Sequence, residues 1–306
     1  MKIITLTLAP AFDTHCRAEC FTAGIENFAD ITSYDAGGKG INLSRALLAG
    51  GCVSLAIVAL GKENRASFLS ALDTDGLEYA AIEVDGRIRE NITVHPKEGK
   101  ETRLSFSGFS ADDSLVDKVK DIICKNAESG DIVTIVGSIP SGITKEKIKA
   151  FAKGLKTSGM KVVIDSRSFT PEDIIDCSPF LIKPNEQEIS AYTDTKISSL
   201  DDAQKVALEI MRKGVENVMI SLGASGAVLA SRDGVFSVKA PKISVRSTIG
   251  AGDSSIAGFL AAYTEGKGSA ECLKTAIAYG SAACLTEGTK PPRKEDIKNL
   301  LLKIGF

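Results

Sequence analysis

Histidine is almost missing from this chain: of 306 residues, only His15 and His95 carry an imidazole. A Ser-His-Asp or Cys-His hydrolase would have to use one of them, and neither lies in a nucleophile-elbow context. A disulfide framework is missing too. The seven cysteines (Cys16, Cys20, Cys52, Cys124, Cys177, Cys272, Cys284) are scattered, odd in number and free of any C-x-x-C pair. That pattern points to free thiols and a reducing, cytoplasmic setting. Cys16 and Cys20 lie close to His15, but no fourth ligand follows at zinc spacing. No apolar run reaches membrane-spanning length, and residues 1–6 read as a strand rather than a secretory signal. The net charge of −2 leaves no basic footprint for nucleic acid or for an anionic membrane.

What is present suits a globular α/β protein. The chain is 43% hydrophobic and 25% charged, with no low-complexity linker and no internal repeat. From about residue 112 the pattern alternates: a helix near 112–128, strand Ile132–Val136, a helix near 144–157, then strand Lys161–Asp165. A short strand at 180–182, a helix at 200–213 and a strand at 217–220 continue it, which implies βαβ units and a mostly parallel, buried sheet. A hairpin at 227–238 and three helices near 254–264, 269–286 and 294–303 close the chain. Earlier, helices are expected at 41–49 and 65–72 around a strand at 53–60. Residues 77–107 hold three β-rich pieces, with Asp85-Gly86 and residues 97–100 read as hairpin turns. We expect one α/β domain over 1–306, with a small β lid built from 13–35 and 88–107. Phosphoryl transfer needs such a lid to exclude water.

The richest chemistry lies in Thr248-Ile249-Gly250-Ala251-Gly252-Asp253-Ser254, a glycine turn opening a helix. Bare amides at a helix start bind anions, and Asp253 beside them either caps the helix or accepts a proton from an attacking hydroxyl. Gly37-Gly38-Lys39-Gly40 is a second glycine turn, where Lys39 and Asn42 reach a ligand or simply face solvent. It is not a P-loop, because Gly40 stands where Ser or Thr belongs. Arg89, Asn91 and Arg103 fall on the lid pieces, and two arginines brought together there suit a phosphate. Lys183 follows a strand end, where ligands of open α/β sheets gather, and is placed to meet a nucleotide phosphate. Asn185 and Glu188 either organise hydrated Mg²⁺ or form a capping box. Ser221, Gly223 and Gly226 lie against a nucleotide or make a plain glycine hairpin.

In combined order and spacing, five segments resemble the ribokinase-like carbohydrate kinases, the PfkB family. They are residues 5–13 (TLTLAPAFD), 36–45 (AGGKGINLSR), 137–142 (GSIPSG), 181–188 (LIKPNEQE) and 248–253 (TIGAGD). The likeness runs over essentially the whole chain and is strongest to the branch of 1-phosphofructokinases and tagatose-6-phosphate kinases. It implies a three-layer α/β/α fold with a β-sheet lid, which in many relatives pairs between two subunits. It also implies ATP and Mg²⁺ as cofactors, with a monovalent cation as a further candidate.

By this resemblance Asp253 is the general base, and Gly250, Ala251 and Gly252 form the anion hole. Asp13, Gly38, Lys39, Asn42, Arg89 and Ser138 fall on the sugar side. The residues themselves add Gly37 and Arg103 to it, and Lys39, Arg89 and Arg103 are the candidates to hold the acceptor's own phosphate. Lys183, Asn185, Ser221, Gly223, Gly226 and Gly252 fall on the nucleotide side, with Asn185 and Glu188 organising Mg²⁺. The implied reaction is ATP-dependent phosphorylation of a phosphorylated ketohexose, fructose 1-phosphate first and tagatose 6-phosphate or another sugar as alternatives. A sugar-phosphate sensor on an inactive kinase scaffold is the non-enzymatic alternative. The chain departs from the branch at Ala9 (commonly Asn), Thr93 (commonly Lys) and residues 107–110 around Phe109 (commonly a Gly-Pro element).

Overall fold

The computed structural model describes residues 1–193, 197 and 199–305. In chain order the first half contains β1 (Ile3–Thr7), β2 (Ala11–Cys20), β3 (Asp30–Gly37), α1 (Lys39–Gly50), β4 (Leu55–Gly61), α2 (Arg65–Asp75), β5 (Glu78–Val84), β6 (Arg89–Glu98), β7 (Thr102–Ser105) and α3 (Ser114–Asn126). The second half adds β8 (Ile132–Val136), α4 (Lys145–Thr157), β9 (Lys161–Asp165), α5 (Pro171–Cys177), β10 (Leu181–Ile182), α6 (Glu186–Thr193) and α7 (Leu200–Arg212). It ends with β11 (Asn217–Ser221), β12 (Ala227–Ser231), β13 (Gly234–Val238), α8 (Ala251–Thr264), α9 (Ser269–Ala283) and α10 (Lys294–Lys303).

Nine strands make the main sheet in the order β13-β12-β11-β10-β9-β8-β1-β4-β5. Every pairing from β11 to β5 is parallel; the antiparallel pairings are β11–β12 and β12–β13, so β12 alone runs against the rest. Its central strands β1 and β8 are buried at every residue, as continuous apolar runs covered on both faces must be. On one face Leu115 and Val119 of α3, Phe151 of α4 and Val206 of α7 pack against Leu6, Val133 and Ile164. On the other, Leu43 of α1, Phe259 of α8 and Leu273 of α9 pack against Ile3, Ile132 and Val163. The result is the expected three-layer α/β/α architecture. Among the described residues, no helix is long and apolar enough to cross a membrane.

A separate four-stranded sheet, β3-β2-β6-β7, stands beside this body. Its middle pair, β2 and β6, is parallel, while β3 and β7 flank it antiparallel. One expectation fails at this point. Asp85-Gly86 does not join a hairpin, because β5 pairs parallel with β4 at the edge of the main sheet while β6 belongs to the second sheet. Gly86, at φ 96°, turns the chain from one sheet into the other. A turn signal reports local backbone and says nothing about which strand each arm will meet. Residues 97–100 do join an antiparallel pair, β6 and β7. Helix α5 was not anticipated, although Thr170 and Asp173 form a reciprocal capping box around Pro171.

Candidate active site

Helix α8 begins without a side-chain cap. Its N-cap residue, Gly250, takes the left-handed conformation at φ 76°, and no side chain bonds the first-turn amides. Among the described residues the N–H groups of Gly252 and Asp253 have no backbone acceptor, so they remain free for an anion. A Cβ on Gly252 would lie 3.0 Å from Lys183 Nζ, so bare backbone lets that ammonium approach the helix start. Lys183 is buried yet has no salt-bridge partner among the described residues. Uncapped amides and an ammonium without a salt-bridge contact face the same space.

Asp253 sits in that first turn, 7% exposed, and its Oδ2 accepts a 3.0 Å hydrogen bond from Asn42 Nδ2. Burial pushes its carboxyl up to about 6, with Asp165 adding to the rise. Lys39, the Asn42 bond and Lys183 hold it from climbing further. Such a carboxylate is basic enough to take a proton and mostly ionised at neutral pH. Asn42 reaches it because α1 starts close against β1. A Cβ on Gly40 would collide with Leu6 O and Thr7 Oγ1, so only glycine permits that approach. Lys39 Nζ donates to Asp165 Oδ2 at 2.8 Å. Burial opposes its charge, but Asp165 and Asp253 outweigh it and hold the ammonium above the ordinary lysine range.

Asp253 opens on a cleft of about 400 Å³ above the C-terminal ends of β1, β8 and β9. This is where ligands gather in open α/β sheets. Its wall includes Asp13, Gly38, Lys39, Asn42, Arg89, Arg103, Ser138, Lys183, Asn185, Glu188, Gly250 and Gly252. The second sheet closes one side. Asp13 on β2 lies opposite Asn91 on β6, and its Oδ1 accepts from Asn91 Nδ2 at 3.0 Å and from Arg103 Nη2 at 2.8 Å. Arg89 is poorly satisfied: its Nη atoms reach only the carbonyls of Phe106 and Ala9, each at 3.5 Å, and buried Nε has no partner. Three more buried atoms of residues on this wall, Thr7 Oγ1, Asn42 Oδ1 and Asn91 Oδ1, also lack a partner.

The remaining sequence candidates lie outside this wall. Gly37 stands behind Asp13, and a Cβ there would collide with Asp13 Oδ2. Ala251 is the first residue of α8. Ser221 bridges to Asn185, while Gly223 and Gly226 bracket Ala224 and Ser225, which line a second cavity of about 460 Å³ with Glu186 and Lys239. Asn185 and Glu188 do form the reciprocal cap, Asn185 N to Glu188 Oε2 at 3.1 Å and Glu188 N to Asn185 Oδ1 at 2.8 Å. Among the described residues no group of three His, Cys, Asp or Glu side chains could enclose a metal. Mg²⁺ in phosphoryl-transfer sites needs only one or two carboxylates besides the phosphates. Glu188, with its carboxylate on the cleft wall, fits that requirement.

Asp165 and Arg167 were missed by the sequence reading, although both line the cleft. The available signal was position, since Asp165 ends a parallel strand as Lys183 follows one. Of the three departures from the branch pattern, only Ala9 lines the cleft. Thr93 is buried within β6 and Phe109 packs against Gly86.

A bare helix N-terminus, a buried carboxylate beside it and cations on both sides meet the physical demands of phosphoryl transfer on an α/β/α scaffold. The sequence model of the pfkB family carbohydrate kinases matches residues 21–296, and the chain belongs to that family. It is therefore a sugar kinase, a phosphotransferase with an alcohol group as acceptor. A 1-phosphofructokinase from Bacillus subtilis is 31% identical over 285 residues, covering 93% of this chain and 93% of its own. Phosphofructokinase-2 from Escherichia coli in complex with substrates and products has a TM-score of 0.91 at 28% identity, covering 99% of both chains. The same enzyme in complex with potassium gives 0.91 and 28%, covering 99% of this chain and 98% of its own.

Proposed function

We propose that this kinase transfers the γ-phosphoryl group of ATP to a phosphorylated ketohexose, fructose 1-phosphate, giving fructose 1,6-bisphosphate. The observation that carries this reading is the set of buried, partnerless atoms of cleft-wall residues: Thr7 Oγ1, Asn42 Oδ1, Asn91 Oδ1 and Arg89 Nε. Leaving such groups unpaired is costly, and a sugar phosphate offers partners to the two amides and to Arg89. Its hydroxyls donate to the two amide oxygens, and its phosphate accepts from Arg89 with Arg103 beside it. The 1-phosphofructokinase of B. subtilis supports the choice of ketose.

Asp253 takes the proton of the attacking hydroxyl, held towards it by Asn42. Gly250, Ala251 and Gly252 present the anion hole, and Lys39 adds positive charge beside the reacting oxygen. Asp13, Gly38 and Ser138 orient the sugar, while Gly37 leaves room for Asp13. Lys183 meets the nucleotide phosphates, and Ser221, Gly223 and Gly226 shape the nucleotide side. Asn185 and Glu188 would hold Mg²⁺, which when bound would neutralise phosphate charge. The potassium complex of the E. coli enzyme supports adding a monovalent cation to this proposal. The second sheet carries the lid role, and its exposed Ile31, Tyr34 and Leu104, with Phe106 just past β7, support pairing between two copies. Light scattering reads that assembly directly.

Steady-state rates over an acceptor panel test the assignment. Fructose 1-phosphate is expected to give the highest kcat/KM, above tagatose 6-phosphate and neutral fructose. A clear preference for a neutral sugar would remove the phosphate pocket.

A further inference from the structure

Asp13 is already occupied. Its Oδ1 holds Arg103 Nη2 at 2.8 Å and Asn91 Nδ2 at 3.0 Å, and its Oδ2 lies against Gly37. The carboxylate is 11% exposed and the Arg103 side chain 37%, so the ion pair is half sheltered from water. Arg89 stands beside this pair, half-buried, with no salt bridge among the described residues. Burial works against its charge, Asp13 favours it and Arg103 opposes it. Of the two guanidinium groups only Arg103 bonds the carboxylate, while Arg89 feels its charge without contact, and Asp13 is the group assigned above to orient the sugar.

We infer that Arg103 makes the acceptor's own phosphate a condition of turnover, by blocking Asp13 until an incoming phosphate draws it away. The inference rests on the phosphorylated-ketose reading above. A phosphate dianion between Arg89 and Arg103 gives Arg89 its first anionic partner and offers Arg103 a bidentate one. Arg103 then leaves Asp13, which keeps the Asn91 bond and turns its freed lone pairs to the sugar. The movement is inexpensive because Arg103 lies on β7, a four-residue edge strand paired only with β6. A neutral ketose has nothing with which to displace a guanidinium from a half-buried carboxylate. Binding energy from the remote phosphate is thereby spent on assembling the sugar site, not only on affinity.

The test uses D-fructose as acceptor, ATP, and inorganic phosphate supplied separately. Phosphate should compete with fructose 1-phosphate, yet raise kcat/KM for fructose by about tenfold, a typical coupling between linked sites. Arg103→Met should turn over fructose faster than the wild type, by a similar factor, without further stimulation by phosphate. Its kcat/KM for fructose 1-phosphate should fall. A residue that merely supported the fold would lower both activities together. The wild-type arm needs no variant, so it decides the matter even if Arg103→Met does not fold. Competition without stimulation of fructose turnover would overturn the inference alone. Failure of phosphate to compete at all would overturn the phosphate pocket and, with it, the inference.

Discussion

Lys39 Nζ lies 2.8 Å from Asp165 Oδ2, joining the first residue of α1 to the last residue of β9 across 126 positions of sequence. Both groups act on Asp253, in opposite directions: Asp165 raises its pKa and Lys39 lowers it. Burial dominates the basicity of the helix-start carboxylate, and the ion pair tunes it from both sides. It also fixes the ammonium on the cleft wall.

Asp253 must be ionised to accept a proton, so kcat/KM should rise with pH along a limb centred near its value of about 6. Lys39→Met removes a cation that lowers that value, and the limb should move to higher pH by about one unit. Asp165→Asn removes an anion that raises it, and the limb should move the other way. Measuring kcat/KM against pH for both variants checks the signs. Shifts in the same direction would contradict this arrangement.

Burying the Asp253 carboxylate weakens the fold. Its folded value of about 6 stands above the ordinary 3.8, so the native state binds the extra proton between those limits. That contribution is favourable below 3.8 and is lost as pH rises through 6. Asp253→Asn should then be more stable than the wild type above pH 6, by at most about 3 kcal/mol, the difference converging as pH falls. Thermal melts at several pH values read this, and an equal gap at every pH would contradict it.

Gly37→Ala should act on the acceptor alone. The added methyl collides with Asp13 Oδ2 and forces the carboxylate out of place. KM for the sugar phosphate should rise at least about tenfold, in line with the loss of one or two hydrogen bonds, while KM for ATP stays near the wild type. Equal losses for both substrates would point to general unfolding.

Much of the body was legible because strands such as Ile132–Val136 are uninterrupted apolar runs between amphipathic helices. Asp253 was legible for a local reason, since its glycines and the helix they open are contiguous in sequence. The Asp13–Arg103 pair was not, because it depends on β2 meeting β6 in parallel, and β6 meeting β7, 90 positions downstream. For the same reason Asp85-Gly86 misled. Its turn chemistry is real, but β5 finds its partner in β4 through seven aligned residue pairs. Asp165 carried only its place at a strand end, and its link to Lys39 is tertiary.

The most direct measurement is turnover of Asp253→Asn on fructose 1-phosphate, made alongside ATP binding by calorimetry. Loss of the base should lower kcat by about a thousandfold, within the range of general base catalysis, while ATP still binds. Turnover near the wild-type rate, with intact ATP binding, would contradict the placement of the catalytic base at the start of α8.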